Sequence, residues 1–269
     1  MGYTVRPERP LIRWAGSKRK LIPVMKQNSP SIFERYIEPF CGSISFFLEQ
    51  EVQKAYLTDI NSELINFYKV VQSDPGYISD GMEMLESSKE QYYKVRSLDP
   101  GSLTDSDRAV RFFYLNRHCF NGVYRTNLKG QFNVPYGSKL TSIPCRAELL
   151  AFSKILSNVT FEACDFEKSV SRSGEGDFVY LDPPYAGREV KDRGEYGLNK
   201  FQESDIYRMH EVLEKASARG AKILLSYADI TQVRDIFSGW HINTISVGRS
   251  VSGFAKGRSI VSEVLVKNY

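Results

Sequence analysis

Phe178-Val179-Tyr180-Leu181-Asp182-Pro183-Pro184-Tyr185 decides how this chain is read. Its first four residues are an unbroken apolar run, the pattern of a buried strand. A carboxylate, two prolines and an aromatic ring follow where that strand ends. In open α/β sheets, ligands bind beyond the carboxyl ends of the strands. There Asp182 can accept a hydrogen bond from an amino group, and its place before a proline biases it to an extended backbone. Pro183 offers a carbonyl and has no N–H. Tyr185 presents a flat face for stacking. Together they suit one task, holding the exocyclic amino group of a planar heterocycle between two acceptors. A strand ending in Asp-Pro is also an ordinary turn with a fixed exit direction, so the rest of the chain has to choose.

On either side of this strand, strand and helix patterns alternate as in a doubly wound sheet. Strands are predicted over 35–40, 55–59, 159–163, 177–181 and 222–226, with a closing antiparallel pair at 240–248 and 260–267. Helices are predicted over 43–50, 61–72, 146–157, 203–219 and 230–238. Between them the rhythm breaks. Residues 76–98 and 106–117 read as helical, and Tyr124–Asn127 faces Gln131–Val134 across Leu128-Lys129-Gly130, a hairpin signal. The expectation is a Rossmann-like α/β sheet, residues 1–59 and 147–269, interrupted by a mostly helical insertion, residues 60–146, that carries a β-hairpin.

Composition narrows the class. A chain of 269 residues with 42% hydrophobic and 25% charged content is a globular protein able to bury its own core. Cys41, Cys119, Cys145 and Cys164 are scattered, as are His118, His210 and His241, so free thiols and no metal site are expected. No signal-peptide core or bilayer-length apolar run is present, which points to no membrane partner and to the cytoplasm. The net charge is only +4, but residues 9–33, 108–147 and 236–262 contain no acidic residue. In 108–147, Arg108, Arg111, Arg117, Arg125, Lys129, Lys139 and Arg146 interleave with aromatic and amide side chains. That mixture is what groove binding and base-edge reading need, and it predicts a positive face for a polyanion.

Further acids end further strands. Glu38-Pro39-Phe40-Cys41-Gly42-Ser43 joins an acid to a glycine turn, and Thr58-Asp59 places a second acid at the end of the next strand. The pair fits an adenosine-bearing cofactor, with the second acid on ribose hydroxyls. Asp165-Phe166 is a third such end, suited to an adenine ring, and equally an ordinary turn. Neither a dinucleotide glycine fingerprint nor a P-loop is present, which argues against a nucleotide-dependent oxidoreductase.

Arg13-Trp14-Ala15-Gly16-Ser17-Lys18, Glu38 to Gly42, Asp59, Asn116-Arg117, Asn121 to Asn127, Gln131 to Gly137 and Asp182 to Tyr185 follow one another in this order. In that order they resemble the Dam-type adenine-N6 DNA methyltransferases of the D12 class, and the likeness spans nearly the whole chain. The resemblance implies S-adenosylmethionine as methyl donor and double-stranded DNA as partner, with a cognate restriction endonuclease among the partners it allows. It implies cofactor contacts at Trp14, Gly16, Lys18, Glu38, Phe40, Gly42, Asp59, Asp165, Phe166 and Asp182. It implies that Asp182, Pro183 and Tyr185 do the chemistry, and that residues 60–146 form the target-recognition domain. The recognition hairpin maps to Asn121 through Gly137, with Asn121, Val123, Arg125, Asn127, Lys129 and Pro135 as DNA contacts and Arg125 matching a guanine-reading arginine. Arg249 and Ser250 match a phosphate-contacting strand. Two departures stand out. Ile44 replaces a second glycine, and Arg13 replaces a lysine that reads the first guanine of GATC. The expected target is GATC or a site containing it.

The implied reaction needs the adenine out of the duplex, at a cost of a few kcal/mol. Residues 186–200, with Gly187, Gly194 and Gly197, read either as a loop closing over that base through Tyr196 or Asn199 or as a plain connection. Methylation of RNA adenine or of cytosine N4, and an inactive DNA-binding module, are the alternatives. The first would use the same amino-holding tetrapeptide, and the second is raised by Ile44.

Overall fold

The computed structural model describes residues 9–127, 129–138, 142–186, 201–248 and 260–269. Its strands are β1 (Arg35–Glu38), β2 (Ala55–Asp59), β3 (Val159–Ala163), β4 (Asp177–Leu181), β5 (Lys222–Ala228), β6 (His241–Gly248) and β7 (Ile260–Lys267). They form one seven-stranded sheet in the order β3-β2-β1-β4-β5-β7-β6. β1 to β5 run parallel, and β7 runs antiparallel to both β5 and β6. The order reverses between β1 and β4, so the crevice where such sheets take ligands lies beyond the ends of those two strands.

The helices are α1 (Ile22–Gln27), α2 (Ser62–Ser73), α3 (Pro75–Glu83), α4 (Lys89–Ser97), α5 (Asp105–His118), α6 (Arg146–Leu156), α7 (Phe166–Val170), α8 (Glu203–Ala218) and α9 (Thr231–Ile236). Successive strand residues face opposite layers. Tyr36, Phe178, Tyr180, Leu224 and Leu265 pack with α2, α5 and α6, while Ile37, Val179, Leu181, Ile223, Leu225, Val264 and Val266 pack with α7, α8 and α9. The result is a three-layer α/β sandwich of Rossmann type.

Local chemistry sets the helix ends. The Asn61 side chain accepts from the N–H groups of Glu63 and Leu64, starting α2 directly after β2. Helix α5 begins at the Thr104 cap with Asp105 and Asp107 in its first turn and ends with Arg117 and His118, charges that complement its dipole. From Ala109 to His118 every residue of α5 is buried. Among the described residues, no helix is long and apolar enough to cross a membrane.

Two predicted elements differ, and a helix appears where none was predicted. The helix expected over 76–98 is two helices, because Ser88 leaves the helical path and caps α4 by accepting from the Gln91 N–H. The helix expected over 43–50 shrinks to a single 3₁₀ turn at Phe47–Glu49, because Gly42 and Ile44 both take positive φ, 44° and 52°. The short α7 was not expected at all. It forms because Asp165 caps it, accepting from the Glu167 N–H at 2.9 Å.

Candidate active site

Glu38 ends β1 and Asp182 follows β4, so the two acids flank the reversal point of the sheet. Glu38 is buried and accepts a hydrogen bond from the Tyr36 hydroxyl at 2.9 Å. Burial pushes its carboxyl well above the carboxylate range, Asp182 adds to this, and the Tyr36 hydroxyl and Phe47 N–H oppose it. Asp59, at the end of β2, accepts from the Gly42 N–H at 3.2 Å and the Asn61 N–H at 3.0 Å. Burial raises its pKa to about 6 against those backbone donors. The glycine turn and the second acid are therefore one hydrogen-bonded unit. Tyr68 braces it by donating to the Gly42 carbonyl at 2.8 Å.

Beyond β4, Pro183 is buried while Asp182 and Tyr185 keep partial exposure. The Ala186 N–H donates to the Tyr227 hydroxyl at 2.8 Å, and the rings of Tyr185 and Tyr227 meet edge to face at 5.0 Å. Lys18 enters from the N-terminal segment. Its ammonium lies 3.4 Å from Asp182 Oδ1 and 3.0 Å from Glu263 Oε2, donates to the Tyr185 hydroxyl, and sits 4.8 Å from the centre of that ring. Burial lowers the Lys18 pKa, but Asp182, Tyr185 and Glu263 outweigh burial and hold it above its usual value. Sequence reading missed Glu263. The one available signal was a lone acid in the apolar strand Ile260-Val261-Ser262-Glu263-Val264-Leu265-Val266.

A third group lies past β3. Phe40 stacks on Phe166 with centroids 5.5 Å apart, and Phe201 joins them. The guanidinium of Arg208 grips Asp165 through two bonds of 2.8 and 3.0 Å and lies 4.3 Å from the Phe166 ring centre. Arg208 was not singled out in the sequence. Phe166 itself is buried, so the half-buried Phe40 and the Asp165–Arg208 pair are what this corner presents.

Trp14 links these groups to the hairpin. Its ring lies against Gly42 and stacks on Tyr124 at 5.7 Å. Arg13 lies against Gly122, whose φ is 64°, and a Cβ there would come within 2.4 Å of the Arg13 Cβ. The buried Asn116 side chain clamps the Arg13 backbone, accepting from its N–H at 2.9 Å and donating to its carbonyl at 2.7 Å. Gly16 is exposed at φ 80°.

The hairpin forms around isolated pairs, Thr126 with Phe132 and Cys119 with Tyr136. Gly130 turns at φ 76°, and its N–H donates to the Asn127 carbonyl. The Asn127 side chain accepts from the N–H groups of Lys129 and Gln131. Arg125 donates from Nε to Asn133 Oδ1 at 2.7 Å. Asn121 (φ 55°), Lys129, Pro135 and Phe120, one of the aromatics of the basic stretch, are exposed, with Val123 half-buried. Tyr196, Asn199, Arg249 and Ser250 lie outside the described residues.

The basic stretch is less of a surface than its composition implied. Arg108 pairs with Glu63 and Asp105, and Arg146 pairs with Asp80. Arg111 is buried and donates to the carbonyls of Val95 and Arg96. Arg117 is buried too and donates to the carbonyls of Leu11 and Ser142, with burial first and Arg13 second lowering its pKa to about 10. Four of the arginines thus bind the protein's own carboxylates and backbone carbonyls; Lys139 lies outside the described residues, which leaves Arg125, held by Asn133, and Lys129 on the hairpin and Arg13 beside it.

Among the described residues, no group of three or more His, Cys, Asp or Glu side chains could hold a metal ion. The shallow cleft of about 430 Å³ lined by Pro10, Arg19, Ile22, Pro23, Lys26, Ser45, Leu48 and Glu49 includes none of the expected site residues.

Comparison with known proteins agrees with this geometry. The family signature of D12 class N6 adenine-specific DNA methyltransferases matches residues 14–251. The type II methyltransferase M1.LlaDCHI of Lactococcus lactis subsp. cremoris is 33% identical over 271 residues, covering 97% of this chain and 95% of that protein. A DNA adenine methylase of Vibrio cholerae is 32% identical over 267 residues, covering 97% and 96%. Among solved structures, precorrin-6y C5,15-methyltransferase from Geobacter metallireducens aligns over 93% of this chain and 88% of its own at 12% identity and a TM-score of 0.38. The fold assignment rests on strand order, not on that likeness. With the acids at the sheet reversal, the tetrapeptide beyond β4 and a family match across most of its length, the chain belongs to the D12 class of N6 adenine-specific DNA methyltransferases.

Proposed function

We propose that this protein moves a methyl group from S-adenosylmethionine to N6 of an adenine extruded from duplex DNA, at GATC or a site containing it. The observation that carries this is the placement of Asp182, Pro183 and Tyr185 beyond β4, beside the Glu38 and Asp59 acids that end β1 and β2. The donor set suits the cofactor. Asp59 is an acceptor for ribose hydroxyls, Phe40 backed by the buried Phe166 forms an apolar wall for a purine, and Asp182 sets negative charge where a sulfonium would lie, with Glu38 as a hydrogen-bonding group beside it. When bound, S-adenosylmethionine supplies an electrophilic methyl.

The residues do the orienting. Asp182 and the Pro183 carbonyl accept from the two hydrogens of the adenine amino group, which favours a tetrahedral nitrogen with its lone pair directed outward. Tyr185 offers a stacking face worth about 1–3 kcal/mol by analogy with base–aromatic contacts, against an extrusion cost of a few kcal/mol. Orientation is the dominant contribution. Asp182 need not be a strong base, since the amino proton becomes acidic once nitrogen is alkylated. On the recognition side, residues 60–146 carry the hairpin. Arg125 is set to read a guanine, Arg13 sits beside the hairpin, and the exposed Phe120 can stack where a base has left. The inactive-module reading loses its main support, because Ile44 itself takes the left-handed conformation and the glycine turn still forms its bonds to Asp59.

The test is incubation of purified protein with DNA and a tritium-labelled methyl donor, followed by mapping of modified adenine. Asp182→Ala is expected to abolish transfer while retaining most DNA affinity. Full turnover by that variant rejects the assignment. Equal labelling of RNA in competition with duplex DNA rejects the substrate.

A further inference from the structure

Glu263 is an acid inside an apolar strand, 1% exposed, on a sheet position opposite Ala228. Strand alternation puts it on the same face as Leu265, the side from which the N-terminal segment approaches. Its carboxylate lies 3.0 Å from the Lys18 ammonium, which also reaches Asp182 Oδ1 at 3.4 Å and the Tyr185 hydroxyl. The tetrapeptide beyond β4 and strand β7, distant in sequence, therefore meet on one cation from the N-terminal segment. A buried acid costs several kcal/mol unless it is paired, so a fold that keeps one here uses it to hold something. A lysine is a flexible four-carbon stem with a point charge at its end. Asp182 and Tyr185 alone would leave its approach loosely defined, and Glu263 supplies the third direction.

Resting on the methyltransfer reading above, we propose that Glu263 is a positioning residue of the reaction: it anchors Lys18 so that the ammonium locks the Asp182 carboxylate and the Tyr185 ring into one rigid unit facing the adenine. Glu263 touches neither substrate nor reacting atoms. It acts through Lys18, and its loss should act on the rate of transfer rather than on binding.

The experiment uses full-length protein with isotopically labelled lysine and the isosteric variant Glu263→Gln, which keeps the shape and removes the charge. Wild type is expected to show a protected side-chain ammonium resonance at about pH 8 that Lys18→Met abolishes, and Glu263→Gln should lose that protection. In single-turnover assays Glu263→Gln should slow transfer about 10–100-fold, the scale of a misplaced reacting group, with affinities for DNA and S-adenosylmethionine within about twofold of wild type. Lys18→Met removes a cation from beside a buried carboxylate and should lower the melting temperature, and adding Glu263→Gln should recover part of that loss while slowing transfer no further. This last pattern tests the pairing even if one single variant folds poorly. An ammonium signal unchanged in Glu263→Gln, or transfer at the wild-type rate, overturns the role of Glu263 alone. A wild type that labels no DNA overturns the functional reading on which it rests.

Discussion

Trp14 lies directly over Gly42, so closely that a Cβ on residue 42 would stand 2.7 Å from Trp14 Cδ1. Because Trp14 also stacks on Tyr124, a single indole joins the Gly42 turn to the hairpin. The pairing explains why residue 42 must be glycine twice over, since its φ of 44° also disfavours any side chain.

Gly42→Ala should therefore do more than strain one residue. The methyl group would displace the Trp14 ring and disturb the Gly42–Asp59 hydrogen bond together. We expect a loss of about 2 kcal/mol in stability from steric and backbone strain, an altered indole emission and at least tenfold weaker S-adenosylmethionine binding. Calorimetric titration beside tryptophan fluorescence checks this, and unchanged emission would show that the ring does not bear on residue 42.

Ile44 is fully buried at φ 52°, a conformation foreign to a β-branched residue. Truncation to alanine forfeits the packing and keeps the strain. Truncation to glycine forfeits slightly more packing and removes the strain, which is worth about 1–2 kcal/mol. Ile44→Gly should thus be less destabilising than Ile44→Ala, the reverse of the usual ranking. Denaturant melts of both variants decide it.

The pH dependence of Asp59 has a definite sign. Its folded pKa of about 6 lies above its ordinary 3.8, so the folded state holds that proton more tightly. The stability contributed by the neutral form is complete at the acid end and is lost as pH rises through about 6. Wild-type stability should then fall as pH rises through about 6, and Asp59→Asn, which cannot ionise but turns one acceptor oxygen into a donor facing a backbone N–H, should lack that fall while losing one of the two hydrogen bonds. Cofactor binding should move the other way. The wild type needs the ionised acceptor, so its affinity should fall below about pH 6, and the variant should bind weakly with no such dependence.

Arg125 is held by Asn133 through Nε, which fixes the plane of its guanidinium. Arg125→Ala should cost about 1–3 kcal/mol of discrimination at one base pair, seen as methylation of substituted sites in a DNA library. Asn133→Ala should show a smaller loss at the same base pair. A loss spread evenly over all sites would instead mark Arg125 as a phosphate contact.

Legibility in the sequence followed the range of the interactions. The strands β1 to β5, the closing antiparallel pair and the helices with periodic apolar faces were readable because strand and helix periods are local. The acids at strand ends were readable for the same reason, since the polarity switch from Leu181 to Asp182 or from Thr58 to Asp59 needs no knowledge of neighbours. The helix expected after Gly42 failed on one dihedral angle at Ile44, which no side-chain preference announces.

What the sequence alone determined is the sheet and the strand ends at which Glu38, Asp59 and the Asp182–Tyr185 tetrapeptide stand, because these follow from alternation and from the intrinsic geometry of proline and carboxylate. Only the tertiary structure decided which charges belong to the site. Arg108, Arg111, Arg117 and Arg146 read as surface cations and instead bind the protein's own carboxylates and carbonyls. Glu263 passed unremarked within the closing antiparallel pair and instead meets Lys18 beside Asp182. The physical reason is that an ionised group takes its role from whatever lies within a few ångströms, and for these groups the partners come from distant parts of the chain.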